Sequence, residues 1–287
     1  MGKIQVKLFG ATSVVLPDGT VVSDLGGIKP RQVLEILALS AGTPVSKDRL
    51  VELLWGDTPP RTYTATLESY ISLLRRRMGV ARGRGSALAT TSNGYLLDLD
   101  QVDVDLATFR RLAPTRPAHA VHLATADLLA SEPYAEWAAD ERDHFAVEYV
   151  QACNRAAAHA LHTDQPATAV TMARHAITRD QISESSWQLL IQALTATGAR
   201  SEALRAYLDL RTTLIEALGT EPSPASRTLY LDLLAEDRAE TTPTTSINEV
   251  KTLLALLRDA LDGLPDLDLS HTDRRITARA EQLVAAA

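Results

Sequence analysis

The chain has 287 residues, 45% of them apolar, which is enough for about two packed domains. No apolar run approaches the roughly 20 residues of a membrane span, and Met1-Gly2-Lys3-Ile4 opens into an alternating pattern instead of a signal peptide's apolar stretch, so the expected location is the cytoplasm with no membrane partner. The net charge of -7 would by itself argue against nucleic acid, but residues 1–97 carry 12 basic against 7 acidic side chains, a net of +5, while residues 98–287 carry 17 against 29, a net of -12. The basic footprint lies at one end. Cys153 is the single cysteine, which excludes an internal disulfide framework and a cysteine-rich zinc site. In its Ala-rich surroundings it reads as core filler.

In chain order, Ile4 to Leu8 alternates as a strand, and Ser13 to Leu16 pairs with Val21-Val22 across the turn Pro17-Asp18-Gly19-Thr20. A helix starts near Pro30, presents Val33, Leu34, Leu37 and Ala38, and stops at Gly42. Ser46 caps a second helix with Leu50, Leu53 and Leu54 on its apolar face, and Gly56 to Pro60 ends it. A third helix runs from Thr62 to Met78. After a Gly/Arg-rich loop, Ala87 to Leu99 forms a hairpin turning at Ser92-Asn93-Gly94, where Asn-Gly supplies the positive φ angles of a tight turn. Helix, turn, helix, third helix and β-hairpin make a winged helix-turn-helix.

Beyond Asp105 the pattern is helical, and residues 150–183 repeat in residues 184–217 at an offset of 34: Cys153 pairs with Trp187, Ala157 with Ile191, Ala160 with Leu194, Ala169 with Ala203, and Ala173 with Tyr207. That is tetratricopeptide spacing, with Asp164-Gln165-Pro166 and Gly198 in the turns. A polar linker over 239–246 precedes two more helices, over about 247–262 and 270–285. The expected fold is an α+β winged helix-turn-helix (1–102) followed by an all-α tetratricopeptide-like domain (103–238) and a helical extension (247–287).

In the third helix Leu67, Ile71, Leu74 and Met78 form the core stripe. At 100° per residue the opposite face holds Thr62, Ala65, Thr66, Ser69, Ser72, Leu73, Arg76 and Arg77, with Tyr70 and Arg75 on the flanks. Small side chains up to Ser72 allow close approach to a major groove, Leu73 suits a thymine methyl, and the terminal arginines suit phosphates. The wing Thr90-Thr91-Ser92-Asn93 offers hydroxyls and an amide but no cation, which Arg82 and Arg84 of the preceding loop would have to supply. The pairs His119/His122 and His159/His162 lack accompanying carboxylates, and Asp98 to Asp105 lacks the glycine of a calcium loop. No phosphate-binding Gly-rich loop, nucleophile elbow or zinc-protease helix is present, so neither an enzyme nor a cofactor is expected.

Five runs (Lys29 to Leu34, Pro44 to Leu50, Leu54 to Asp57, Tyr70 to Arg76 and Asn93 to Leu97) together resemble the OmpR-like DNA-binding domain of the Streptomyces antibiotic regulatory protein family. Ala199 to Tyr207 followed by Leu214 to Pro222 resembles that family's bacterial transcriptional activation domain. The resemblance implies an activator of secondary-metabolite gene clusters that binds direct repeats in double-stranded promoter DNA, self-associates on tandem repeats and recruits RNA polymerase holoenzyme. It also implies that Arg75 and Arg76 match the basic end of the recognition helix and Thr90 to Asn93 the wing. The chain departs from the pattern in Glu68, in the small residues of the reading helix and in a wing without arginine. The rival reading is a scaffold whose helical repeats bind an effector or peptide while the winged helix acts as a repressor.

Overall fold

The computed structural model of the protein describes residues 2–83 and 85–240, with side chains as far as residue 235. Arg84 and the helices expected after residue 246 lie outside the described residues. The expected linker begins inside a helix, since residues 239 and 240 close the last helix described.

Alternation decides the first sheet. In β1 (Ile4–Lys7) Ile4 and Val6 are buried and Gln5 is exposed. β1 pairs antiparallel with β2 (Ser13–Val15), and β2 pairs with β3 (Val21–Val22) across the expected turn, where the Leu16 N–H donates to the Thr20 carbonyl at 2.9 Å. A strand with no expectation from sequence completes the sheet. β7 (Val102–Val104) runs parallel to β1 in the order β3-β2-β1-β7, with Ile4 opposite Val102 and Val6 opposite Val104. The boundary expected after residue 102 therefore falls inside a strand.

Helix α1 (Ile28–Leu39) begins two residues before Pro30 and is buried on nearly every side, with Val33, Leu34 and Leu37 fully enclosed. Helix α2 (Lys47–Trp55) starts at Ser46, whose Oγ accepts the Arg49 N–H at 3.1 Å. Ser46→Ala removes that acceptor from an orphan donor of the first turn and is expected to cost about 1 kcal/mol in chemical denaturation. Helix α3 (Tyr63–Arg77) seats Leu67, Ile71, Leu74 and the following Met78 in the core, the stripe that periodicity requires.

The wing is a three-stranded sheet in the order β4-β6-β5, from β4 (Val45–Ser46), β6 (Gly94–Leu97) and β5 (Leu88–Thr90). Here one expectation is corrected: neither Asn93 nor Gly94 has a positive φ. Glycine is required at 94 because β4 crosses directly against it; a Cβ there would lie 1.8 Å from the Val45 carbonyl oxygen.

The helical half comprises α4 (Asp105–Leu112), α5 (Pro117–Leu123), a short 3-10 turn over Glu136–Ala138, α6 (Ala139–His162), α7 (Pro166–Arg179), α8 (Glu184–Ala196), α9 (Arg200–Leu218) and α10 (Pro224–Glu240). Its repeat register can be checked residue by residue. All ten residues paired at the 34-residue offset are buried, and Ala169 and Ala203 both have zero exposure where paired helices approach. The turns repeat as well. Asp164 (φ 55°) and Gly198 (φ 74°) both adopt the left-handed conformation, and the Gln165 N–H to Ala160 bond at 2.8 Å recurs as Ala199 to Leu194 at 2.9 Å. Tyr207 also stacks on Tyr230 of α10, with ring centroids 4.3 Å apart.

The two halves share a core. Phe9, just past β1, meets Phe109 of α4 at 6.2 Å and Phe145 of α6 at 5.0 Å, and the latter two lie 5.1 Å apart, edge to face. The Asp105 carboxylate accepts the backbone N–H groups of Leu8 at 2.9 Å and Phe9 at 3.2 Å, so this acid of the rejected calcium pattern staples the end of β1 to the start of α4. Burial raises its pKa, and the three backbone donors of Leu8, Phe9 and Leu106 oppose that rise. The loop after α5 runs beside the same segment. Gly10 donates to the Asp127 carbonyl at 2.9 Å, Leu129 to that of Leu8 at 2.8 Å, and Ala130 to that of Gly10 at 3.1 Å. Glu132 then accepts from Arg31 and Gln32 of α1, the latter at 2.9 Å.

Candidate nucleic-acid interface

The exposed surface of α3 differs from the one the helical wheel gives: Ser72 and Leu73 are half-buried, while Tyr63, Thr64 and Glu68 are exposed. Thr62, Ala65, Ser69 and Arg76 are exposed on one line along the helix, with Thr66 beside them half-buried. The Thr66 and Ser69 hydroxyls donate to the carbonyls of Thr62 and Ala65, at 3.0 and 2.8 Å. In this rotamer they present lone pairs outward, so the face accepts hydrogen bonds, as from the exocyclic amino groups of adenine or cytosine in the major groove. Arg76 has no ion-pair partner among the described residues, and its guanidinium remains available.

Arg75 requires a correction. It is not turned outward to phosphates but is 7% exposed, with Nε and Nη2 donating to the Leu88 carbonyl at 2.9 and 2.7 Å and Nη2 also to Thr90 Oγ1 at 2.8 Å. Burial lowers its pKa. At 80° from Leu67 on the wheel, Arg75 sits on the flank that faces β5, where an unpaired strand carbonyl awaits a donor. It fixes the wing to the recognition helix, and Thr90 is its anchor on the wing.

Leu73 also moves. It covers Gly26 in the loop before α1, where a Cβ would lie 2.1 Å from Leu73 Cδ2, so its partner in the free protein is backbone and not a thymine methyl. Beside it Arg77 donates to Asp24 at 2.7 Å, an exposed pair that is weak in water and releases the cation readily. Tyr70 stacks against Trp55 of α2 with centroids 6.3 Å apart and braces the helix from behind.

On the wing side, Arg82 donates to Ser72 Oγ at 2.8 Å, which brings a loop cation onto the reading face. Lys47 is a member of the site that spacing does not reveal. Its Nζ pairs with Glu68 at 2.8 Å and lies 5.8 Å from the centre of the Tyr95 ring, while its N–H donates to the Asn93 carbonyl at 2.9 Å. The hydrogen bond from Lys47 to Glu68 raises the Lys47 pKa. The acid that departs from the family pattern is thus compensated inside the protein. Ser92 and Asn93 at the wing tip are exposed and Thr91 half-exposed.

A helix packed on a helix-turn-helix core, with an accepting face, free arginine and a braced hairpin alongside, defines a winged-helix DNA-binding transcription regulator. The model of the family "Transcriptional regulatory protein, C terminal" matches residues 27–97, and that of the "Bacterial transcriptional activator domain" matches residues 104–234. The chain belongs to the Streptomyces antibiotic regulatory protein family, whose members are transcription regulators and not enzymes. It is 31% identical to the regulatory protein DnrI of Streptomyces peucetius over 260 residues, covering 82% of this chain and 93% of the relative. It is 26% identical to the transcriptional regulator RedD of Streptomyces coelicolor, covering 82% and 72%. Among solved structures, Mycobacterium tuberculosis EmbR in complex with a low-affinity phosphopeptide superposes with a TM-score of 0.65 at 25% identity, covering 88% of this chain and 71% of that one. Among the described residues no helix is long and apolar enough to cross a membrane.

Proposed function

We propose that the protein activates a secondary-metabolite, antibiotic-type gene cluster by binding direct repeats near the promoter, self-associating there and recruiting RNA polymerase holoenzyme. The observation that carries the activating sign is the match of the activator-domain model to residues 104–234, almost the whole described helical half. The kinship with the Streptomyces regulators DnrI and RedD supports the choice of target. Charge supports the division of labour: the +5 half faces DNA and the -12 remainder faces protein. Thr62, Thr66, Ser69 and Ser72 read base edges, Arg76 and Arg82 hold phosphates, Arg77 joins them on leaving Asp24, and Thr91 to Asn93 follow the adjacent groove.

Footprinting on the promoters flanking its own gene, followed by transcription with purified polymerase, tests this reading. Transcript is expected to rise with occupancy; a fall would favour the repressor scaffold. Arg76→Ala is expected to weaken specific and nonspecific DNA alike and to lower the salt slope by about 1. An unchanged slope removes Arg76 from the phosphate contacts.

A further inference from the structure

Away from the DNA-facing surface, a cleft of about 730 Å³ opens between the end of α5 with its following loop and the α6–α7 hairpin. That size lies within the range of small-molecule sites, roughly 300 to 1,000 Å³. Its floor is apolar, formed by Val121, Ala124 and Phe145, while Tyr149, His175 and Arg179 supply polar groups from the hairpin side. Burial pushes the pKa of Tyr149 up to about 12, so it stays a neutral phenol.

Arg179 is the cation at this site, and its guanidinium is paired with the Asp127 carboxylate. The pairing is loosely held: the Asp127 side chain is 69% exposed, so water replaces its partner at little cost. A guanidinium beside an apolar floor, whose one side-chain partner among the described residues is an exposed carboxylate, fits an apolar molecule that brings its own acid. We propose that this cleft binds a small aromatic carboxylate, its ring on the floor of Val121, Ala124 and Phe145 and its carboxylate paired with Arg179 in place of Asp127.

The cleft also has a route to the winged helix. Its wall continues into the backbone of 127–130, which is hydrogen-bonded to Leu8 and Gly10 at the end of β1. Ordering that wall by an occupant holds these bonds closed more of the time, and the ligand is thereby sensed where the DNA-binding half begins.

The experiment titrates the full chain with 1-hydroxy-2-naphthoate, followed by the probe's fluorescence, with 2-naphthol as the uncharged comparison. Saturable binding of one naphthoate per chain is expected. Arg179→Gln should weaken naphthoate about fivefold, the scale of a partly exposed ion pair, and leave 2-naphthol unchanged. Asp127→Asn, which removes the competing carboxylate, should tighten naphthoate. Thr178→Trp, at the exposed rim, should block both probes; unchanged melting temperatures establish that the variants are folded. At saturating naphthoate the Gly10 amide should exchange with solvent more slowly. Unsaturable uptake, or binding that ignores both Arg179→Gln and Thr178→Trp, overturns the site, and unchanged Gly10 exchange overturns its coupling to β1. No DNA enters the test, so its failure is distinct from failure of the activator reading.

Discussion

Phe109→Ala is expected to lower the stability of the whole described chain by about 3 to 5 kcal/mol, the range for truncating an enclosed aromatic. Phe109 has no exposed surface and touches both Phe9 and Phe145, so the vacated space opens where the segment just past β1, helix α4 and helix α6 meet. Because Asp105 and the 127–130 backbone tie the same region, the loss should be felt in both halves at once. Urea unfolding followed separately by tryptophan fluorescence and far-UV circular dichroism checks this. The two curves should coincide in the wild type and move together in the variant. A change in only one of them would mean that the halves unfold independently and that the shared core is marginal.

Glu35→Gln is expected to make the protein more stable at pH 8, by as much as about 3 kcal/mol, and to change little at pH 4.5. Glu35 sits on α1 with no exposed surface. Thr12 Oγ1 donates to its Oε1 at 2.5 Å, the Arg31 Nε lies 3.5 Å away, and Oε2 meets no donor among the described residues. Burial raises its pKa from 4.5 to about 7, against the lowering effects of Thr12 and Arg31, and the nearby Glu132 charge adds to the rise. A carboxyl with a raised folded pKa binds its proton more tightly in the folded state. Its contribution is complete below about pH 4.5 and is lost as pH climbs through about 7, and each pH unit between those values removes about 1.4 kcal/mol. The amide cannot ionise, and its oxygen keeps the Thr12 bond, so the variant should lose this slope. If wild type and Glu35→Gln show the same stability profile between pH 5 and 8, the buried acid is not the titrating group.

Periodicity carried much of the fold into the sequence, and the places where it failed have identifiable causes. The stripe Leu67, Ile71, Leu74, Met78 and the 34-residue register from Cys153/Trp187 to Ala173/Tyr207 depend on spacing alone, and every one of those residues is buried. β4 and β7 were illegible because each is only two or three residues long and defined by a partner far away, Gly94-Tyr95 for one and β1 for the other. Gly94 misled for a similar reason. Its neighbour Asn93 suggests a local turn, while the actual demand comes from Val45, nearly fifty residues earlier. Of the site, the outward line Thr62, Ser69, Arg76 followed from geometry. The wheel ranks residues by angle and cannot say what leans on the flanks, so Arg75 under the wing and Leu73 over Gly26 were placed too far out. A buried arginine bonded to a strand carbonyl leaves no trace in spacing. Lys47 left no signal either, because its partner Glu68 lies 21 residues away and is met only in the fold.

The parallel pairing of β1 with β7 has a consequence for how the chain comes to be made. The first strand leaves the ribosome with its antiparallel neighbour β2 close behind, yet its other edge waits for residues 102–104. Phe9 finds its last aromatic neighbour only when Phe145 has appeared. At bacterial elongation rates of about 5 to 20 residues per second, that delay is on the order of ten seconds, long compared with the folding of most small domains. During it the strand edge and the Phe9 ring are open to any passing chain, a known route to aggregation. A nascent chain stopped at residue 111 would carry α1, α2, α3, the wing and β7, and would still lack Phe145 and the 127–130 backbone that meet Phe9, Leu8 and Gly10 just past the first strand. Shortening the protein to its DNA-binding half therefore reproduces, permanently, a stage that synthesis normally passes through.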